Sequence, residues 1–283
     1  MMSFLSINWN VDPELFALGP IHIRYYGLMF VGAFIVSYYI YLHIFKREKI
    51  PIPLLEKLTI TIALSILIGA RLGHCLFYQP DHFLAHPLEI ILPVKFSPFR
   101  FIGYQGLASH GAAIGILIGI WHWCRKHKKN ALWLLDRMGI VVAISGMMVR
   151  LGNLMNSEIY GGATNLPWGF VFQRAGETQA CHPTQIYEAL SYLAIFCLLF
   201  FLYKKKGEKL YRGFLFGLFL ILLFSARFFI EFIKKTQVDF EDGMLLNMGQ
   251  LLSIPFIIAG IFLLWRSFRK KENFFKSSII SNR

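Results

Sequence analysis

The chain has 283 residues, of which 56% are hydrophobic and 16% charged, and its formal net charge is +13. So apolar a composition argues against a soluble domain, which carries about a quarter charged residues. The positive balance would elsewhere suggest nucleic acid, but its distribution along the chain points to membrane topology instead, and no nucleic-acid partner is expected.

The first 25 residues contain Asp12, Pro13, Glu14 and Pro20 and lack a basic start before an apolar run. No cleavable signal peptide is therefore expected, and the first span would serve as the insertion signal. Apolar runs follow at 26–45, 58–77, 110–124, 132–149, 185–203, 214–232 and 248–265. About 20 such residues cross roughly 30 Å of hydrocarbon. The run at 110–124 is short and rich in Gly and Ala, so its ends are the least defined. The reading is an all-α polytopic membrane protein with about seven transmembrane helices, six or eight being the alternatives. Two long excursions interrupt the spans, at 78–109 and 152–184. The second holds Asn153, Asn156, Glu158, Tyr160, Gly161, Gly162 and Pro167, a turn-forming composition unlike a simple connector. It is expected to form a small extracytoplasmic head within one integral membrane domain covering 1–283.

Orientation follows from the basic residues, because loops left in the cytoplasm keep the excess of Lys and Arg. Most of the 29 lie in four segments, 46–57, 125–137, 204–212 and 266–283. The amino terminus is accordingly expected outside and the carboxyl terminus in the cytoplasm. Cys75, Cys124, Cys181 and Cys197 show no paired spacing, so neither a disulfide framework nor a metal site is expected. His82 and His86 are four apart but lie between Pro80 and Pro87 with no third ligand evident, which does not make a metal site.

Three arginines, Arg71, Arg150 and Arg227, sit inside otherwise apolar stretches. A permanent charge in hydrocarbon is costly, so three of them suggest a buried anionic ligand. The orientation puts Arg71 about 9 Å below the outer end of its span at 1.5 Å per residue. It also puts Arg150 at the outer end of the fourth span, and Arg227 and Glu231 in the last turns of the sixth. Tyr26 and His110 begin the first and third spans from the same side. Polar residues from five spans thus converge in the outer half of the membrane.

At these residues the chain resembles the bacterial prolipoprotein diacylglyceryl transferase family, over nearly its whole length. The resemblance rests on Arg24-Tyr25-Tyr26-Gly27-Leu28-Met29, Gly69-Ala70-Arg71-Leu72-Gly73, Ser109-His110-Gly111 and the run from Arg150-Leu151-Gly152-Asn153 to Gly161. It continues through His182-Pro183-Thr184-Gln185-Ile186-Tyr187-Glu188, Arg227-Phe228-Phe229-Ile230-Glu231 and Met248-Gly249-Gln250-Leu251-Leu252-Ser253-Ile254-Pro255. Departures occur at Ala112, where many members carry glycine, and at Leu107-Ala108-Ser109, where a phenylalanine often precedes the histidine.

The resemblance implies transfer of a diacylglyceryl group from phosphatidylglycerol to the lipobox cysteine of a preprolipoprotein signal peptide, with release of glycerol phosphate, in the bacterial plasma membrane. The lipid carries its own leaving group, so no cofactor is expected. A thiolate must attack a glycerol carbon while a phosphate oxygen leaves, which calls for a base and fixed positive charge. Arg150 and Arg227 suit the phosphate through their planar donor fork. His110 is the candidate base or lipid contact, against the alternative of capping its span. Arg71 either contacts phosphate or locks helices through a carboxylate or loop carbonyls. Arg227 and Glu231, four apart on one helical face, are expected to form an internal ion pair, in which Glu231 could orient the arginine while leaving donors for phosphate. Asn153, Asn156 and Glu158 either bind headgroup hydroxyls or satisfy a tight turn, Gly161 serves backbone geometry, and Tyr26 is either an interfacial anchor or a phosphate contact. His182 and Tyr187 are expected to hold the head against the fifth span. A lipid or small-anion transporter, a structural assembly factor and an inactive paralogue are the competing readings. The first would want repeated halves with matched broken helices, and the sequence shows none.

Overall fold

In the computed structural model the described residues are 6–19, 21–92, 94–96, 99–101, 106, 108–206, 209–235 and 244–272. The basic residues Lys276 and Arg283, used above for orientation, lie outside them. In chain order come strands β1 (Ile7–Trp9), β2 (Glu14–Leu18) and β3 (Ile21–Arg24), then helices α1 (Tyr25–Arg47) and α2 (Ile52–Phe77). Short helices α3 (Pro80–Ala85) and α4 (Leu88–Ile91) and strands β4 (Val94–Phe96) and β5 (Phe99–Phe101) lead to α5 (Ser109–Lys126) and α6 (Ala131–Met155). Strand β6 (Phe170–Phe172) precedes α7 (Thr184–Lys206), α8 (Phe214–Glu231) and α9 (Met248–Lys270).

The architecture is that of a polytopic all-α membrane protein. Among the described residues six helices, α1, α2, α6, α7, α8 and α9, are long and apolar enough to cross a membrane. The seventh expected span corresponds to α5, which is 18 residues long and ends on Arg125 and Lys126. Its turns at Gly111, Gly115 and Gly119 dilute its apolar character. Large apolar side chains stay exposed along the spanning helices, among them Val31, Ile35, Leu64, Leu67, Ile258 and Phe262. Helices hydrophobic on outward faces as well as inward ones are matched to a lipid environment.

The described residues form two compact units, one within 6–44 and 135–272 and one within 45–134. In the smaller unit α2 lies backbone to backbone against α5. A β-carbon on Gly69 would collide with the Gly111 carbonyl oxygen, and one on Gly115 with that of Ser65. Small residues at four-residue spacing permit such close approach, the usual means by which helices associate in lipid.

In the larger unit α8 and α9 approach each other at Gly217 and Gly260. A hydrogen bond of 2.8 Å between the hydroxyls of Ser37 and Ser145 joins α1 to α6. At the start of α8 the fully buried Asp136 carboxylate accepts the backbone N–H groups of Gly213 at 2.7 Å and Phe216 at 3.0 Å. It thereby satisfies donors that a helix N-terminus leaves unpaired.

The segment between α6 and α7 has a core of its own: Leu154, Phe170, Phe172 and Cys181, with Trp9, Tyr160 and Ile186 packed on it. β1 pairs in parallel with β6, Ile7 opposite Phe170 and Trp9 opposite Phe172. The Trp9 indole N–H donates to the Leu154 carbonyl at 3.1 Å. A polar clamp closes the other side, where Glu177 Oε1 accepts from the Tyr160 hydroxyl at 2.5 Å and from Lys235 Nζ at 2.6 Å.

Candidate functional site

Arg150 sits near the end of α6, and the chain beyond it is held in a costly conformation. Ser157 and Ile159 take left-handed φ values of 53° and 59°, a region that side chains with a β-carbon, and β-branched ones above all, rarely occupy. Such strain persists only where surroundings over-determine it, and it gathers at functional sites. Here α7 supplies the restraint. Gln185 Nε2 donates to the Glu158 carbonyl at 2.7 Å, and the Thr184 hydroxyl donates to that of Ile159 at 2.9 Å. Gly161 then passes where nothing larger fits, since a β-carbon on it would stand 2.5 Å from the Ile233 carbonyl oxygen and 2.7 Å from His182 Cβ.

The result is that the Glu158 carboxylate folds back over the helix end. Its Oε1 accepts from Asn153 Nδ2 at 2.7 Å and Asn156 Nδ2 at 3.2 Å, while Arg150 NH1 donates to Asn153 Oδ1 at 3.4 Å. Asn156 Oδ1 and Ser157 Oγ are buried and receive no hydrogen bond among the described residues. Tyr26, second in α1, lays its ring against Gly152, where a β-carbon would stand 2.9 Å from Cδ2.

A second set of charges continues inward from Arg150. Its Nε lies 3.0 Å from Oε2 of Glu188, which is wholly buried. The Glu188 contact is charge against charge, because Oε2 receives no aligned hydrogen bond. Lys234 Nζ then bridges Glu188 Oε1 and Glu231 Oε2, each at 3.1 Å, with its side chain only 3% exposed. Burying one partner of such a set without the others would be strongly unfavourable.

Arg227 behaves differently from the expected ion pair. It is half-buried one turn before Glu231, yet among the described residues it makes no hydrogen bond or ion pair with Glu231 or any other group. The carboxylate is taken instead by Lys234 from beyond the helix end, and it lies against Gly249 at the N-terminus of α9. Partial positive charge at that terminus favours a carboxylate there. The cluster therefore holds three cations, Arg150, Arg227 and Lys234, and three carboxylates, Glu158, Glu188 and Glu231.

The remaining two expected site residues belong to the smaller unit. Arg71 is buried, and its guanidinium donates to the carbonyls of Glu89 and of Ile90, the latter at 3.1 Å, while stacking 4.9 Å over the Phe83 ring. Of its two readings, this geometry is the locking of loop carbonyls. His82, one of the histidines dismissed as a metal ligand, bonds Glu89 at 2.8 Å. His110 is second in α5 with an exposed ring. His182 Nδ1 lies 3.3 Å from the Tyr187 hydroxyl, which also accepts the Trp168 indole N–H at 2.9 Å, so this pair does tie the head to α7.

Glu188, Lys234 and Gln185 were not singled out as site residues from the sequence. The signal for Glu188 was present: a carboxylate one turn into an apolar run is as anomalous as an arginine there. Lys234 had no such signal, since it looks like one more loop lysine.

A helical membrane protein with a partly buried cationic and acidic cluster at its helix ends is thus the class that fold and site define. The profile of the prolipoprotein diacylglyceryl transferase family matches residues 13–266. The phosphatidylglycerol–prolipoprotein diacylglyceryl transferase of Bacteroides fragilis is 49% identical over 271 residues, covering 95% of this chain and 98% of that protein. The one from Tolumonas auensis is 46% identical, covering 93% and 98%, and that from Chloroherpeton thalassium 40% identical, covering 94% and 96%. The chain belongs to the prolipoprotein diacylglyceryl transferase family.

Proposed function

We propose that the protein transfers the diacylglyceryl group of phosphatidylglycerol to the lipobox cysteine thiol of preprolipoproteins, as a multi-pass protein of the bacterial plasma membrane. Its amino terminus lies outside, its carboxyl terminus in the cytoplasm, and residues 152–184 form an extracytoplasmic head. The observation that carries this reading is Arg227, a half-buried guanidinium without a hydrogen-bond or ion-pair partner among the described residues, in a cluster whose other charged groups are each ion-paired or hydrogen-bonded.

A phosphodiester brings one negative charge and oxygens that match a guanidinium fork. Arg227 binds it, and Arg150, fixed from behind by Glu188, presents its remaining donors. As the sulfur–carbon bond forms, the bond from glycerol carbon to phosphate oxygen breaks, and a second negative charge grows on the departing glycerol phosphate. Fixed arginines stabilise that charge more than the ground state, which is what accelerates a reaction. The thiol proton passes to a base, for which His110 is the candidate. Tyr26, Asn153, Asn156 and Glu158 hold the headgroup, and Arg71 anchors α4.

The test incubates purified protein with phosphatidylglycerol and a lipobox peptide and follows glycerol phosphate release. Release that requires the peptide cysteine and disappears in Arg150→Ala is the expected result. No release from folded protein in native lipid overturns the reading.

A further inference from the structure

Resting on that transferase reading, we infer that Lys234 is a positioning residue whose task is to keep Arg227 open to the lipid phosphate by occupying Glu231. By sequence Glu231 is the natural partner of Arg227, four residues away on one face of α8. In the folded protein the pair does not form, and Lys234 Nζ sits 3.1 Å from the Glu231 carboxylate instead. The same ammonium lies 3.1 Å from Glu188, the carboxylate that contacts Arg150. Each arginine of the phosphate site thus has a buried carboxylate within reach, and one lysine draws charge from both.

Lysine suits this task better than a third arginine. Its compact ammonium satisfies two carboxylates from one point, whereas a planar fork would favour a single paired contact. The adjacent Lys235 faces the other way and closes the Glu177 clamp at 2.6 Å. The turn after α8 therefore anchors the head with one lysine and sets the charge state of the cluster with the next.

Without Lys234 the Glu231 carboxylate would be a buried, unpaired charge, and its nearest remedy is Arg227. The lipid phosphate would then compete with an internal anion. The loss belongs to phosphatidylglycerol affinity, and it belongs to Glu231.

The experiment measures glycerol phosphate release against phosphatidylglycerol concentration for the native chain, Lys234→Met, Glu231→Gln and the double variant, with thermal unfolding to confirm folding. Lys234→Met is expected to raise KM about tenfold or more in the native background, and much less in the Glu231→Gln background, as for groups coupled through one carboxylate. Lys234→Arg should recover only part of the loss. An equal penalty in both backgrounds overturns the inference, as does a Lys234→Met chain that binds the lipid normally and loses only kcat. Should Lys234→Met fail to fold, the comparison of Glu231→Gln with the double variant decides, and a large KM difference between those two overturns it. Absence of release by the native chain removes the transferase reading itself and is seen before any variant is made.

Discussion

Gly249 and Glu231 touch: a β-carbon on Gly249 would stand 2.5 Å from Cδ of the Glu231 carboxyl group. The first turn of α9 is thereby shaped around that carboxylate, and Asn247 reinforces the fit by donating to the Glu231 carbonyl at 3.3 Å while capping α9 through Gln250. A side chain at 249 would push the carboxylate off Lys234.

Gly249→Ala should therefore lower both stability and transfer, although alanine is the better helix former. Overpacking of this kind costs about 1–3 kcal/mol, and thermal unfolding alongside glycerol phosphate release would measure it. An alanine variant as stable and active as the native chain would mean that the carboxylate moves freely.

Arg227→Ala should abolish measurable transfer while leaving stability nearly unchanged, because no hydrogen bond or ion pair among the described residues is lost. Removing one preorganised charge-stabilising donor costs on the order of 10²–10³ in rate. Arg227→Lys should recover part of the activity, since the charge is kept and the fork is not. A strong fall in unfolding temperature for Arg227→Ala would instead reveal a structural role.

Arg71→Met should behave in the opposite way. Its guanidinium holds the carbonyls of Glu89 and Ile90, and hydrogen bonds from a charged group contribute about 1.5–3 kcal/mol each. The variant should unfold earlier and be cut faster by protease between residues 78 and 92. Its KM for phosphatidylglycerol should stay within about threefold of native, a window of under 1 kcal/mol.

The head should lose stability at both extremes of pH. Hydrogen bonds from Lys235 and Tyr160 hold Glu177 below its ordinary 4.5, so its contribution is complete above that value and is lost as acid protonates it. The Glu177 hydrogen bond holds Lys235 above its ordinary 10.5, while burial, then Glu177, pushes the Tyr160 phenol up from 10.0. Their contributions are complete below those ordinary values and fade as alkali removes the protons. Protease resistance of residues 160–181 should be flat near neutrality and fall below about pH 4.5, and Glu177→Gln should remove most of the acid-side fall.

What could be read from the sequence was set by local spacing. Arg150, Asn153, Asn156, Glu158 and Gly161 lie close along the chain, so one helix end and one strained turn bring them together. Glu188 reaches the cluster from α7 and Lys234 from the turn after α8, and nothing in the sequence near either one announces the other. The spacing of Arg227 and Glu231 argued for a pair, but a neighbour from beyond the helix end outcompeted it. The spans themselves were legible because lipid leaves them little freedom, except α5, whose glycines serve contact with α2 at the cost of apolar length. The strand Ile7–Trp9 was invisible, three residues being too few to show alternation.

That strand also sets a timetable for the head. Trp9 and Ile7 leave the ribosome early, whereas their partners Phe172 and Phe170 follow about 160 residues later, on the order of ten seconds at typical synthesis rates. Throughout that interval the first strand waits with an apolar indole unburied, and the head cannot close until four long helices have been made. A chain interrupted between residues 162 and 172 would hold every residue of the Arg150 turn without the frame that strains it. Assembly of the site is in this way tied to completion of the segment that covers it.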